Sequence, residues 1–428
     1  MTVISSRCSH VVILGLAVGA LAFSGADRAR AEAQLLIEAS TGKVLHAENA
    51  TYPWYPASVT KLMTAYTTLR AIKEGRISFN TLLTVSRNAA AQQPTKMGFN
   101  VGTTVTVDNA LKMLMVKSAN DMAVTIAEGV GGSIEGFADL MNANARRLSM
   151  TQSNFVNPNG LPAENHVTSA RDLAILARAL IREFPEYDSY WHISSIRYGN
   201  RVMRNYNSLI DRYPGADGMK TGFICASGYN VVASATRNGR RLIAVVLGAW
   251  SGAVRAQKAA QLLERGFNSG GLSWLTPSLG TVDALAPIEA QPPNLREEMC
   301  GGHRRKPPSE ENEEEPEDAA AAATSTGEST NGQQAFMLSS LKPANGKFVL
   351  GPAVETTPPI VVFTGPADHP DAVAQTASAS PKKKKKVVAK TDGAEKPAKP
   401  EDAAKPAKPT KTAKPAKQAK PKVTSVNQ

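Results

Sequence analysis

The alternation of apolar and polar residues predicts strands at the start of the chain and helices after them. "AQLLIEASTGKVLHAENA" places two short apolar runs around Ser40-Thr41-Gly42-Lys43, a combination typical of a β-hairpin. "SVTKLMTAYTTLRAIKEG" follows with apolar residues at helical spacing and a stop at Gly75. A buried hairpin followed by an amphipathic helix is therefore the expected beginning of a folded domain.

Further along, the pattern alternates between short strands and helices and ends in three strands and a helix. "TLLTVS" and "GTTVTV" indicate strands that bracket a polar loop, and Thr106 is a suitable N-cap for the helix that follows them. Tyr206 to Gly218 is a polar connector. The predicted helices are "VDNALKMLMV", "MAVTIAEGV", "IEGFADLMNANARRLSM", "SARDLAILARALIREFP" and "SGAVRAQKAAQLLERGF", and the late strands are "MKTGF", "YNVVASAT" and "RRLIAVVLGA".

Strands at both ends of this region, with helices between them, favour an α+β fold. In such a fold an antiparallel sheet joins the early and late strands, and the helices cover it. Apolar residues make up 42% of the chain and are concentrated before about residue 270, which is enough for one sizeable core. Residues 32–270 are therefore predicted to form a single domain.

Beyond residue 270 the composition changes to that of a disordered polypeptide. Residues 271–380 contain an acidic run, "EENEEEPED", and the low-complexity stretch "AAAAATSTGESTNGQQ". Residues 381–428 are a Lys/Pro/Ala repeat. Such segments have too little apolar surface to offset the entropy of ordering. One apolar patch, "GKFVLGPAVETTPPIVVFTG", could dock as a strand pair, although its prolines disfavour that.

The net charge of +12 lies mainly in this last segment. Residues 381–428 hold 15 lysines and four acids, and the folded region is close to neutral. Because the basicity belongs to a tail and not to a folded face, we expect no nucleic-acid-binding surface on the domain.

The N-terminus has the features of an export signal. Arg7 is followed by the apolar stretch "VVILGLAVGALAF" and then by Ala29-Arg30-Ala31, a small-x-small cleavage site. The apolar run is too short for a membrane-spanning helix. Residues 1–31 are therefore predicted to be a signal peptide, and the mature protein to be periplasmic or associated with the cell envelope.

The cysteines and histidines indicate no metal site or cofactor. The six histidines are scattered, and the sequence has neither an H-E-x-x-H nor a paired C-x-x-C motif. Cys225 and Cys300 remain after removal of the signal peptide, and an oxidising compartment permits a bridge between them. Because Cys300 lies in an apparently flexible segment, two separate thiols are the simpler expectation.

Three short motifs carry the candidate chemistry. Ser58 and Lys61 stand at positions i and i+3 near the start of a predicted helix, so the amine can touch the hydroxyl. Ser118 and Asn120 lie in "KSAND" between two helices. Lys220-Thr221-Gly222 lies in the predicted strand "MKTGF". Each motif is weak by itself, but their order and their elements make the set specific.

This set resembles the serine penicillin-recognising enzymes, and most closely the D-alanyl-D-alanine carboxypeptidases among the low-molecular-mass penicillin-binding proteins. The resemblance runs from about residue 33 to residue 267. It includes "PASVTKLMTAY", "KSANDMAV", "FVNPNGLP", "SARDLA", "GADGMKTGF" and "SGYNVVASAT". It implies a β-lactamase/transpeptidase-like fold, with residues 32–270 as the catalytic domain.

The resemblance also implies a role for each motif residue. Ser58 would be the nucleophile and Lys61 its base, which requires a neutral amine favoured by burial and by a second charge on Lys220. Ser118 would relay a proton to the leaving amine, and Asn120 would hold the substrate amide or the lysine. The N–H groups of Ser58 and Phe223 would form the oxyanion hole.

The free carboxylate of a peptidoglycan stem peptide would be bound by Lys220 and Thr221 beside Gly222. Arg255 matches a position that assists there, although a solvated helix charge explains it equally well. β-Lactam antibiotics would act as covalent inhibitors. Two positions depart from the family: Asn159 stands where relatives often have histidine, and Phe223 where a polar residue is frequent.

Several alternatives stay open at this point. A class A-like β-lactamase shares the three motifs, and Glu164 lies in the corresponding loop but without an E-x-x-x-N signature. A D,D-endopeptidase breaks the same type of bond. A non-catalytic wall-binding protein could keep the fold, although the intact motifs argue against it. The basic tail would attract an anionic membrane surface or cell-wall polymer, or would serve only to keep the protein soluble.

Overall fold

The part of the chain described by the computed structural model comprises residues 32–269, 278–302, 350–354 and 357–368. The predicted signal peptide and the basic tail lie outside these residues. Within the described ranges, no helix has both the length and the apolar character needed to cross a bilayer.

A five-stranded antiparallel sheet forms the centre of the fold, in the order β2-β1-β9-β8-β7. Its strands are β1 (Ala33–Glu38), β2 (Val44–Glu48), β7 (Ala216–Ile224), β8 (Gly228–Arg237) and β9 (Arg240–Ala249). Strand β1 pairs with β9 through contacts such as Leu36 with Ala244. The predicted α+β architecture, in which early and late strands share one sheet, is therefore confirmed.

Helices pack on this sheet and on one another, and most begin and end near the predicted residues. They are α1 (Lys61–Lys73), α2 (Arg87–Ala90), α3 (Val107–Val116), α4 (Asn120–Gly131), α5 (Ile134–Arg147), α6 (Ala170–Glu183), α7 (Ser189–His192), α8 (Leu209–Arg212), α9 (Gly252–Asn268) and α10 (Arg296–Cys300). The side chain of Thr106 accepts a hydrogen bond from Asn109 N and caps α3 as expected. Helices α1 and α4 are buried along most of their length.

Two smaller sheets flank the helices. Strands β3 (Leu82–Thr84) and β4 (Thr104–Thr106) form the predicted pair. Strands β5 (Ser195–Tyr198) and β6 (Arg201–Arg204) form a hairpin that the sequence pattern did not indicate. This hairpin leads into Tyr206, whose main-chain oxygen accepts a hydrogen bond from Arg255 Nη2 at 3.3 Å.

Part of the region predicted to be disordered is packed on the domain. Residues 278–302, here called the belt, bury Val282, Leu295 and Met299. The belt contacts both edges of the central sheet: Val44 N donates to Gly280 O, and Leu295 N donates to Ala226 O. The prediction of disorder from residue 271 onward is wrong for these residues, because single buried side chains anchor them without any local periodicity.

The belt is also covalently attached. Cys225 and Cys300 form a disulfide across 75 residues of sequence, so the expectation of two separate thiols is wrong. The bridge joins the last residue of α10 to the residue that follows β7. The belt brings the two cysteines together, and its order was not apparent from its composition.

The apolar patch within the low-complexity region also docks. Strand β10 (Ile360–Val361) pairs in parallel with β5, and Val362 beside it is buried. Phe363 N donates to Asn109 Oδ1 at 3.2 Å. Among its described residues, the patch thus contributes one strand to the β5–β6 hairpin, where the sequence allowed a docked strand pair.

Candidate active site

Ser58 lies in a tight turn that leads directly into α1. The turn, Ala57–Thr60, is a 3-10 helix, and Ala57 before the serine has φ +50°, a conformation that non-glycine residues seldom adopt. Ser58 is partly exposed, whereas Val59 and Thr60 are buried. The turn therefore presents one hydroxyl to a cleft and anchors the residues after it in the core.

Lys61 is fully buried, and three oxygen atoms surround its amine. Nζ lies 2.8 Å from Ser58 Oγ, 2.8 Å from Asn120 Oδ1 and 2.9 Å from the main-chain oxygen of Asn159. The amide and main-chain oxygens can only accept hydrogen bonds, but the hydroxyl can also donate one. An ammonium group donates to all three oxygens, whereas a neutral amine donates to the two carbonyl oxygens and accepts the proton of Ser58.

Ser118 and Asn120 approach from the junction of α3 and α4. Ser118 has φ +57°, again an unusual value, and Thr95 holds the junction in place. Thr95 Oγ1 donates to Ser118 O at 2.9 Å, and Asn120 N donates to Thr95 O at 2.8 Å. Ser118 Oγ is buried and has no hydrogen-bond partner among the described residues. A buried hydroxyl of this kind is available to a ligand.

Strand β7, the edge of the central sheet, forms the opposite wall. Lys220 and Thr221 are buried, and Lys220 Nζ donates to Thr221 O at 3.0 Å. Gly222 lies directly against the serine turn: a Cβ at this position would fall 2.6 Å from Ser58 N and 2.9 Å from Val59 N. Only glycine permits this approach of strand and turn.

Phe223 and Arg255 extend this wall through Tyr229. The Phe223 ring stacks on Tyr229 with 4.3 Å between centroids, and the Arg255 guanidinium lies 5.7 Å from the same Tyr229 ring. Arg255 is only 5% exposed and donates to the main-chain oxygens of Asn230 and Tyr206, both at 3.3 Å. It is therefore a buried cation near β7, and the alternative of a solvated helix charge is wrong.

The loop that contains Asn159 closes the site behind Lys61. Gly160, with φ +83°, lies so close to the serine turn that a Cβ would overlap Ala57 O. The side-chain amide of Asn159 donates to Gln92 Oε1 at 2.9 Å. The main-chain oxygen of Asn159 was not identified from the sequence as a partner of Lys61, because backbone contacts leave no residue-type signal.

His166 fixes the same loop to the serine turn. Val156 N donates to His166 Nδ1 at 3.0 Å, so the ring proton lies on Nε2, which is 2.9 Å from Thr60 Oγ1. Burial lowers the pKa of His166 to about 4. This histidine therefore has a structural role. Glu164, the deacylation base that a β-lactamase would use, is exposed to solvent.

The structure thus brings three of the predicted residues, Lys61, Asn120 and Gly222, into one group with Ser58. Lys61 and Asn120 form a hydrogen-bonded group with Ser58, and Gly222 packs against it. Arg255 reaches the group through Asn230, which pairs with Gly222 across β7 and β8. No cluster of metal-ligating side chains occurs within the described ranges. The arrangement suits nucleophilic attack by an activated serine.

Comparison with known proteins supports this interpretation. A family model described as D-alanyl-D-alanine carboxypeptidase matches residues 22–251. The D-alanyl-D-alanine carboxypeptidase DacC of Escherichia coli (strain K12) is 37% identical over 248 residues, which are 55% of this chain and 61% of DacC. The chain spans less than two thirds of the length of the curated relatives it matches first, at 61%, 62% and 62%.

Solved structures show the same likeness. Penicillin-binding protein 5 from Haemophilus influenzae is 34% identical with a TM-score of 0.54, over 56% of this chain and 71% of that protein. Penicillin-binding protein D2 from Listeria monocytogenes, in its cefotaxime-bound form, is 28% identical with a TM-score of 0.51, over 55% of this chain and 96% of that protein. The predicted β-lactamase/transpeptidase-like fold is confirmed by these neighbours.

Proposed function

Because this chain belongs to the D-alanyl-D-alanine carboxypeptidase family of serine peptidases, we propose that it removes the terminal D-alanine from peptidoglycan stem pentapeptides. The observation that carries the proposal is the 2.8 Å contact between Lys61 Nζ and Ser58 Oγ. An amine within hydrogen-bond distance of a hydroxyl is placed to take its proton.

In the acylation step, Ser58 Oγ attacks the carbonyl carbon of the penultimate D-alanine while its proton passes to Lys61. The developing oxyanion would be stabilised by the N–H groups of Ser58 and Phe223, and one such donor is typically worth about 3 kcal/mol. The packing of Gly222 on Ser58 N supports this role, because it brings β7 beside the serine.

Collapse of the tetrahedral intermediate breaks the C–N bond. The leaving amine of D-alanine takes the proton held by Lys61, relayed through Ser118, whose buried hydroxyl is unpaired among the described residues. Water then attacks the acyl-Ser58 ester, its proton passes to Lys61, and Ser58 is regenerated. Asn120 would keep Lys61 in place during both steps, and its contact with the amine supports this role.

Recognition of the free carboxylate is assigned to Lys220 and Thr221 with help from Arg255. Two buried cations next to an edge strand suit an extended peptide that ends in a carboxylate. Penicillins and cephalosporins would acylate Ser58 as substrate mimics. This part of the proposal is supported by the similarity to the cefotaxime-bound Listeria protein.

The test is release of D-alanine from a peptide that ends in D-Ala-D-Ala, with the Ser58→Ala variant as control. We expect release by the native protein and none above background by the variant. Penicillin hydrolysis, measured in parallel, separates the alternatives: rapid turnover would indicate a β-lactamase, and a persistent adduct a carboxypeptidase. Cleavage of a cross-linked D-Ala-D-X dimer would identify an endopeptidase, and inactivity on all three a wall-binding protein.

We also propose that the protein is exported and acts in the cell envelope in peptidoglycan biosynthesis and maintenance of cell shape. Residues 1–31 would be cleaved, residues 32–270 would form the catalytic domain, and residues 381–428 would contact an anionic membrane surface or cell-wall polymer. The 15 lysines of that tail support the contact. Deletion of residues 381–428 should release the protein from envelope fractions at low salt. Unchanged fractionation would exclude anchoring by the tail.

A further inference from the structure

Asn230 is a polar residue at a position where the sequence pattern requires an apolar one. It is the third residue of β8, in the run "GYNVVASA", and is fully buried. A buried amide destabilises the fold unless its donors and acceptor are paired. The contacts of Asn230 therefore show what this residue holds in place.

The side-chain amide of Asn230 makes three hydrogen bonds, and their donors and acceptors fix its orientation. Nδ2 donates to Tyr55 O and to Pro56 O, both at 3.1 Å, and Oδ1 accepts from Gly248 N at 3.0 Å. The pairing of β8 with β9 shifts register between Tyr229 and Val231. A bulge of this kind re-aims a side chain, and here the side chain points at the segment before Ser58.

The two carbonyl groups held by Asn230 belong to the residues that enter the serine turn. Pro56 is followed by Ala57, whose φ of +50° is strained for alanine, and then by Ser58. A strained turn persists only when its surroundings hold it. The Asn230 amide holds its N-terminal side, while Gly160 and Gly222 approach closely from either side.

The main chain of the same residue reaches the rest of the site. Asn230 is paired with Gly222 across β7 and β8, and its carbonyl oxygen accepts from Arg255 Nη1 at 3.3 Å. One residue in the central sheet thus contacts the entry to the serine turn, the strand that packs on Ser58 and the arginine assigned to the carboxylate.

We propose that Asn230 is a positioning residue for acylation: its side-chain amide holds the Tyr55–Pro56 main chain so that Ser58 stays between Lys61 and Gly222. This inference rests on the proposed function, since it concerns the same serine. Loss of the amide would let the turn relax and move Ser58 Oγ away from its base. A displacement of about 1 Å typically lowers the rate of such a step by about 100-fold.

The experiment compares Asn230→Ala with Asn109→Ala in the full-length protein. Asn109 is 1% exposed and donates through Nδ2 to Thr106 Oγ1 at the start of α3, so its loss removes a buried amide away from Ser58. Stopped-flow reaction with a fluorescent penicillin gives the acylation rate, and the end point gives the folded, reactive fraction. Asn230→Ser keeps one donor in a smaller side chain and serves if the alanine variant folds poorly.

For Asn230→Ala we expect an acylation rate about 100-fold below that of the native protein, with one adduct per folded molecule. Asn109→Ala should keep its rate within about threefold of native even where its melting temperature falls. Preference for a peptide with a free over an amidated C-terminal carboxylate should persist in Asn230→Ala, because Arg255 bonds the main chain of residue 230.

Three results for Asn230→Ala would overturn the proposal. The first is an unchanged acylation rate, and the second is a smaller reactive fraction that acylates at the native rate. The third is a lower rate accompanied by loss of the preference for a free C-terminal carboxylate. If Asn230→Ser is the variant used, an acylation rate within about threefold of the native rate would overturn the proposal in the same way. Failure of the proposed function is recognised separately, because the native protein itself would then form no Ser58 adduct and release no D-alanine.

Discussion

Gly222 and Ser58 are in such close contact that there is no room for a Cβ on Gly222. A Cβ on Gly222 would fall 2.6 Å from the main-chain nitrogen of Ser58 and 3.2 Å from Ala57 Cβ. These neighbours are backbone and a short side chain, which cannot move aside as a flexible side chain could. The distance between β7 and the serine turn therefore depends on the absence of a side chain at residue 222.

Replacement of Gly222 by alanine should separate the strand from the turn and lower the acylation rate by about 100-fold. The measurement is the rate of adduct formation with a fluorescent penicillin. Gly302→Ala is the matched control, because a Cβ there meets nothing within 4 Å. Equal rates in the two variants would show that the close contact has no role in the reaction.

Replacement of Lys61 by methionine should remove the base while nearly preserving volume. We expect D-alanine release to fall by about 100-fold to 10,000-fold, the usual contribution of a general base. Lys112→Met, on α3, removes a lysine paired with Asp108 and is the control. Near-native release of D-alanine by Lys61→Met would contradict the role of Lys61 as the base for Ser58.

The stability of the domain should depend on pH through His166. Its pKa is lowered from 6.5 to about 4 by burial, so the unfolded chain takes up a proton first as the pH falls. The free energy of unfolding should thus decrease from pH 6.5 to about pH 4, by about 3 kcal/mol, and this contribution should level off below that.

The measurement for His166 is urea unfolding at several pH values for the native protein and for His166→Gln. The difference between the two curves isolates the histidine, and His192→Gln, at an exposed position, is the control. A native protein and a His166→Gln variant with parallel pH dependence would contradict the assignment.

The Cys225–Cys300 bridge should stabilise the folded protein, because it closes a long loop in the unfolded chain. Its sequence separation of 75 residues corresponds to about 4 kcal/mol in the chain-entropy account. Urea unfolding of the Cys225→Ser/Cys300→Ser variant should show a lower midpoint than the oxidised protein. Reductant should shift the native midpoint and leave that of the variant unchanged. If the bridge is reduced and the urea midpoint of the native protein does not change, the prediction is contradicted.

The helices and strands that were predicted correctly are those whose residue pattern lies within one segment of the chain. Helix α3 spans the predicted "VDNALKMLMV", because its apolar spacing and its cap at Thr106 act within one segment. The late strands β8 and β9 were also evident from their apolar runs, and most of their residues are buried. The three motifs followed from their spacing and order.

Contacts between distant segments could not be predicted in the same way. The belt is held by well-separated residues such as Val282 and Leu295, and its cysteine finds its partner only in three dimensions. Strand β6 reads "RVMR", which lacks an apolar alternation long enough to indicate a strand. Asn230 did carry a signal, a lone amide in an apolar strand, but its partners at Tyr55 and Pro56 depend on the fold.

In the proposed mechanism, Ser58 Oγ is the atom that becomes acylated. Peptide mass spectrometry after brief exposure to penicillin should find the mass of one intact antibiotic on the peptide that contains Ser58, and none on that peptide in Ser58→Ala. An adduct on another residue, or an unmodified Ser58 in protein that has reacted, would contradict the central claim.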